Sequence, residues 1–499
     1  MPILFILIES INLQSFDLSS TFSKYITSTF LLIIYTCAIS IILAVIPAWI
    51  ITYNEIKYKS TFDLLLILPL SIPGYIMAFT YADMLGFNGY IDVFLQTYLN
   101  TRLNLDVLSI EWLSLFLALS LYPYIYMTTR ISFKLIGSTY INLSKSLGLN
   151  KTKTFFKIIL PLSISAILSG TLLVTMEILN EYGAVNYFGI QTFSVGIFKY
   201  WFSMDDKSTA IIFSVFLLII VLFLITTLKY LKRHDKRIKY HIKTSPFVYP
   251  KQHSRKIVNY TLICIPILFG LFIPIIFILN NIKSNFHKYD LIELSHVFKN
   301  TFIIALFTAI LITIISFFII SVKRHNNKNK IKLITNFLSA GYAIPGAVIG
   351  LAFMLIIQYL SPNLNFLMGT ITLLIYAYIF RFIAVAIFPL ESNFKQQPLK
   401  FDELGKSLKL SMVQIIKKIN FPLSKFAILS SFLLVFIDVF KELPLTLILR
   451  PFNYETLATQ AYQYANEELL SYSSIYSMCI IIVCSFVIII SKLIFKDRI

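Results

Sequence analysis

Apolar runs of crossing length alternate with short, lysine-rich polar segments along the whole chain. In the first half they fall at 28–53, 64–84, 112–129, 158–176 and 209–228. In the second they fall at 258–281, 301–322, 333–360, 366–390, 419–439 and 473–493. Each is about 18 residues or longer, enough for an α-helix to cross a bilayer. The pattern predicts an all-α, polytopic membrane protein with eleven spans. A twelfth at 3–8 would match the leading span of the second half, but it is too short to cross.

The two halves repeat. LSKSLGLNKTKTFFKIILPLSISAI, from Leu143, and LGKSLKLSMVQIIKKINFPLSKFAI, from Leu404, align without gaps. Ser71-Ile72-Pro73-Gly74 recurs as Ala343-Ile344-Pro345-Gly346, and Leu121–Tyr126 recurs loosely as Ile375–Phe380. The division is a first repeat at 1–231, a basic linker at 232–256 and a second repeat at 257–499. Pro161 and Pro422 are expected in the first turn of the helix that follows, where a missing N–H costs little. Pro-Gly inside a span loosens it and frees backbone groups that neighbours must satisfy.

Charge orients the spans, because loops rich in Lys and Arg stay cytoplasmic. The linker, the segment 323–332, both repeated segments and the tail with Lys492, Lys496 and Arg498 are basic. Alternation then places 87–111, 180–208, 283–299 and 442–470 on the outer side, where most of the acids lie. Both repeated segments face the cytoplasm, so the halves are parallel, related by an axis along the membrane normal.

Composition agrees. The 499 residues are 57% hydrophobic and 13% charged, with mean hydropathy +0.78, outside the range of soluble domains. The net charge of +19 does not signal nucleic acid, since the cations sit in clusters between spans. All four cysteines lie in apolar runs, which argues against disulfides or a zinc site. Gly405-Lys406-Ser407 imitates the end of a phosphate loop, but Lys400 stands where its first glycine belongs, so nucleotide binding is not expected here. His287, Asp290, Glu293 and His296 read as a solvated loop, and no catalytic set is evident.

Two sets of residues are candidates for function. The first is the repeated polar segment: Ser144, Lys145, Ser146, Leu147, Gly148 and Pro161, with Gly405, Lys406, Ser407, Leu408, Lys409 and Pro422. Glycine permits a left-handed turn, so Lys409 in place of Gly148 predicts a differently shaped second turn and a milder effect of Lys409→Val than of a β-branched residue at 148. The second set is Glu177 and Glu181, one turn apart, repeated as Asp438 and Glu442. They read either as interfacial carboxylates reaching water or as an outer vestibule that accepts a cation. Arg130 and Arg381 are expected to be cytoplasmic anchors near the inner ends of their spans.

The repeated segment, with Gly148 and Ile158-Ile159-Leu160-Pro161, resembles the coupling loop of ABC importer permeases. Its acidic-alanine start is replaced by Leu143-Ser144-Lys145 and Leu404-Gly405-Lys406. Glu177–Trp201 and Asp438–Leu469, especially Lys441–Thr446, Leu449–Phe452 and Glu455–Thr459, resemble fused two-repeat permeases for ferric iron. The resemblance implies a type I importer fold in the bacterial inner membrane. It also implies two copies of a cytosolic ABC ATPase that use ATP, an extracytoplasmic solute-binding protein and no cofactor in this chain. Similar fused permeases handle thiamine and other small solutes. From other classes, an ion-coupled secondary transporter predicts midplane acids, and a membrane enzyme predicts convergent polar residues in the spans.

Overall fold

The computed structural model describes residues 2–11, 20–102, 105–136, 139–234, 256–325, 335, 338, 341–360 and 366–495. The linker from 235 to 255, the basic loop beyond 325 and the tail cations Lys496 and Arg498 lie outside the described residues. Among those described, all regular structure is helical, as long apolar runs require when no water is present to satisfy backbone groups. Nine helices among them are long and apolar enough to cross a membrane.

The expected spans at 64–84 and 333–360 differ from that simple form. Lys59–Ser71 and Gly74–Leu99 meet at an angle of 88°. Pro73 is extended, with φ −55° and ψ 150°, so the helix stops and restarts at Gly74. In the second repeat the described part of the span is a 3₁₀ turn, Gly341–Ala343, followed by the helix Gly346–Leu360 after Pro345. Proline without an N–H, followed by glycine, breaks both copies at the same place.

Three other prolines act differently. Pro161, Pro274 and Pro422 each follow a wide π turn, at Phe155–Ile159, Leu268–Phe272 and Ile416–Asn420. The ring crowds the preceding turn, which widens instead of ending the helix. Each coupling segment therefore runs into its span without a stop, as Thr152–Asn180 and Met412–Phe440. Pro161 and Pro422 stand in the first turn of the α-helix, as expected, directly after the π bulge that joins it to the coupling segment.

Packing gathers the chain into two compact units that do not follow the repeat boundaries. One comprises Gln14–Lys288 and Tyr462–Ile481; the other comprises Met1–Leu13, Tyr289–Ala461 and Ile482–Ile499. The first is built on Ser20–Tyr53, Ile110–Ile136 and Leu160–Asn180 packed together. Phe116, Tyr122, Tyr126 and Phe133 of the middle helix are fully buried there. The second is built the same way from Leu291–His325, Ile371–Gln396 and Phe421–Phe440.

The leading helices are exchanged. Ile273–Asn285, at the start of the second repeat, packs on Gly74–Leu85 of the first. Tyr81 Oη reaches the Phe269 carbonyl at 2.5 Å, inside the π turn ahead of Pro274. The N-terminal helix Pro2–Ile11 packs on Gly346–Leu360 of the second repeat, with Phe5 edge-on to Tyr359 at 5.0 Å. The short segment at 3–8 thus has a defined place, matching that of the second repeat's leading helix.

Candidate functional site

Both coupling turns are built alike. Helix Thr139–Ser146 ends in a turn at Gly148, φ +70°, before Lys151–Thr154. Helix Lys400–Ser407 ends in a turn at Lys409, φ +55°, before Met412–Ile415. Leu149 N–H donates to Ser144 O at 2.9 Å, and Leu410 N–H donates to Gly405 O at 3.1 Å. These are equivalent bonds of one left-handed helix cap. The expectation of a differently shaped second turn is therefore corrected: Lys409 adopts the glycine conformation and carries its strain. Ser411 and Gln414 form a capping box that fixes the exit of that turn.

Around these turns, Ser144 is buried, donating to Ile141 O at 2.7 Å and accepting from Thr154 at 3.0 Å. Ser146 and Ser407 turn back onto their own helices, to Leu143 O and Glu403 O. Leu147 and Leu408 project, 67% and 73% exposed, each one turn beyond an exposed leucine, Leu143 or Leu404. The acidic residues of the second coupling helix are Asp402 and Glu403, just ahead of the segment compared in sequence.

The four acids at the far ends of the following helices have separate roles. Glu442 is 6% exposed, pairs with Arg381 Nη1 at 3.0 Å and accepts from Leu445 N–H at 3.1 Å. Glu181 accepts from Ala184 N–H at 3.1 Å. Each thus caps the short helix that follows, where a carboxylate meets unpaired N–H groups. Each also packs on the break in its repeat: a Cβ on Gly74 would come within 2.9 Å of Glu181, and one on Gly346 within 2.9 Å of Glu442 and onto Arg381. Glycine is required there for close approach. Glu177 and Asp438 are half-buried; Glu177 accepts from Tyr124 Oη at 3.3 Å and Asp438 lies 3.8 Å from Lys441.

Arg130 lies near the C-terminal end of Ile110–Ile136, as expected, but neither arginine is an exposed anchor. Both are buried, Arg381 in the middle of Ile371–Gln396. Arg130 pairs with Asp63, which also accepts from Tyr126 Oη at 2.6 Å. A cation buried in the hydrocarbon region is tolerated only with such a partner.

The family described as binding-protein-dependent transport system inner membrane component matches at residues 40–239 and again at 318–499. The chain belongs to that family. This permease is 22% identical over 471 residues to the Fe(3+)-transport system permease protein FbpB 2 of Haemophilus influenzae, covering 92% of this chain and 88% of that one. It is 25% identical over 211 residues to the sulfate transport system permease protein CysT of Salmonella typhimurium, covering 40% of this chain and 73% of the relative. Over 147 residues it is 26% identical to the molybdenum transport system permease protein ModB of Haemophilus influenzae, covering 29% and 62%. It is a multi-pass inner-membrane transport component with two copies of the permease domain.

One feature of the permease is asymmetric. Arg324 pairs with Asp402 on the second coupling helix, and the pair is buried to 6% and 7%. Its guanidinium also donates to Phe394 O at 2.6 Å and Pro398 O at 3.1 Å. The first repeat has Ile141 at the position of Asp402, so the same ion pair cannot form there. Partners so far apart in sequence leave no local signal; only the adjacent acids Asp402 and Glu403 ahead of a basic segment hint at it.

Proposed function

We propose that this permease is the membrane-spanning subunit of an ATP-driven, binding-protein-dependent importer of ferric iron. The carrying observation is the extent of the likeness to the Fe(3+) permease, which runs through both repeats, whereas the sulfate and molybdenum relatives match 40% and 29% of the chain. Two copies of a cytosolic ABC ATPase dock at the turns at 144–148 and 405–409. The projecting leucine pairs are apolar anchors of the kind that dominate docking energies. A solute-binding protein delivers the ion at the opposite end, and lipid surrounds the spans. ATP is bound and hydrolysed by the partner, the chain carries no cofactor, and its role is conduction rather than catalysis. Closure of the ATPases pushes the coupling helices, and the spans alternate access.

Ferric iron prefers oxygen donors. Of the four acids, Glu181 and Glu442 are engaged at the elbows, and the half-buried Glu177 and Asp438 are the carboxylates offered to a cation. The sulfate and molybdenum relatives favour a second reading, oxyanion import. Uptake of radiolabelled iron, sulfate and molybdate by cells with and without this chain separates them. Loss of iron uptake alone is expected on deletion. Loss of oxyanion uptake with iron unchanged replaces the first reading by the second.

A further inference from the structure

One compact unit contains a cluster of oxygen and amide groups that neither the coupling turns nor the four acids use. Tyr182 follows Glu181 at the end of Leu160–Asn180, and Asn186 lies in the short helix Gly183–Tyr187. Tyr462 and Asn466 sit one turn apart on Leu457–Asn466. Asn186 Nδ2 donates to Tyr462 Oη at 2.8 Å and to Asn466 Oδ1 at 3.4 Å. Tyr462 Oη in turn donates to Tyr182 Oη at 3.4 Å. Each phenol has one proton to give, so this chain of donation ends at Tyr182, whose own O–H has no further acceptor among the described residues. Both rings are held: Tyr182 stacks on Phe198 at 3.7 Å between centroids, and Tyr462 packs near Phe79 at 6.4 Å.

We infer that Tyr182 and Tyr462, with the carboxamides of Asn186 and Asn466, form a site for a hard trivalent cation, ferric iron, entering the permease. The inference rests on the ferric iron reading and identifies where the ion is held. Phenolate oxygen is a hard anionic donor suited to Fe(III). Two metal–oxygen bonds of about 2 Å span the observed separation of the phenol oxygens. Asn466 already turns its oxygen to the cluster, and a half-turn of the Asn186 amide presents its oxygen instead of its nitrogen without changing the side chain's shape. On binding, each phenol O–H breaks, its proton goes to water and an O–Fe bond forms; iron remains ferric and no electron moves. Glu467 and Glu468 follow on the same segment and supply negative charge nearby.

The site suits transfer rather than storage. Burial pushes the Tyr182 and Tyr462 phenols up from their usual range. Tyr182 also adjoins the helix that begins at the first coupling turn. Movement of that helix separates Tyr182 from Tyr462 and reduces a two-phenolate site to a single ligand.

The test is titration of the purified full chain with ferric nitrilotriacetate, read by the visible charge-transfer absorption of an iron–phenolate bond. Y182F and Y462F keep the rings and their packing, and Y200F is the control. Wild type and Y200F are expected to show the band, and each of the other variants to lose at least half its intensity. A wild type without the band, or a band retained in both variants, overturns the inference. Iron uptake by cells carrying the wild-type chain is scored separately. Uptake without the band sinks this site and leaves the substrate reading standing; oxyanion uptake in place of iron sinks both.

Discussion

The two coupling turns make a matched pair of backbone experiments. Gly148 and Lys409 share a left-handed conformation, at φ +70° and +55°, and nothing lies within 4 Å of a Cβ added at Gly148. Any effect of a small side chain there is therefore conformational. A non-glycine residue in this region costs roughly 1–2 kcal/mol, partly offset by about 0.5–1 kcal/mol because glycine loses more freedom on ordering. Lys409→Gly should stabilise its turn by about 0.5–1 kcal/mol, and Gly148→Ala should destabilise its own by the same amount. Hydrogen exchange reads this at the Leu410 and Leu149 amides, which close the two caps. Protection of Leu410 should rise roughly two- to fivefold in Lys409→Gly, and that of Leu149 should fall equally in Gly148→Ala. Gly148→Val and Lys409→Val should impair coupled transport, because β-branching resists this conformation in both turns. Unchanged or reduced protection of Leu410 in Lys409→Gly would refute the strain argument.

Three further outcomes follow from packing. Glu442→Ala leaves Arg381 buried without its partner and should cost about 3–5 kcal/mol, seen as a lowered melting temperature in detergent, with most of it recovered in Glu442→Gln combined with Arg381→Met. Gly346→Ala forces a Cβ against Glu442 and Arg381 and should lower the melting temperature by several degrees; an unchanged value would show that the elbow is loosely packed. Arg324→Ala should raise hydrogen exchange across Lys400–Ser407 and leave Thr139–Ser146 unchanged, since Arg324 clamps the second coupling helix through Asp402.

The helices, the repeat and the coupling segments were legible because each is written in local periodicity. The breaks at Pro73 and Pro345 were visible as Pro-Gly pairs, but not their angle, because one local motif serves a kink or a full bend according to what packs around it. Glu181 and Glu442 read as surface acids because helix position alone sets an apparent depth. The burial of Glu442 and the close packing of Glu181 depend on Gly346 and Gly74, which are remote in sequence. The Arg381–Glu442 and Arg324–Asp402 pairs join residues on different helices, and no spacing rule reaches that far. Lys409 misled for a different reason. Residue type argued against a left-handed turn, while the gap-free alignment with Gly148 argued for it, and tertiary context overrode the local preference.

The same alignment explains how one end of each repeat can act on the other. Leu160–Asn180 runs for 21 residues, about 30 Å, with a coupling turn before it and Glu181 directly after it. Apart from Pro161 in its first turn, it contains no proline to absorb motion. The π turn at Phe155–Ile159 lies ahead of that rod rather than within it, so compliance is confined to the coupling end. A push on the coupling helix that passes this bulge must therefore reach Glu181 nearly undiminished. Glu181 caps Gly183–Tyr187 and packs against Gly74 at the elbow of the broken span. The second repeat has the same parts in the same order, with Arg381 added between Glu442 and Gly346. An acid that is both the end of the rod and the contact at the elbow cannot shift without moving the break. Under the importer function proposed above, that makes the Pro-Gly bend, rather than the intact spans, the element through which closure of a partner ATPase would open and shut the path.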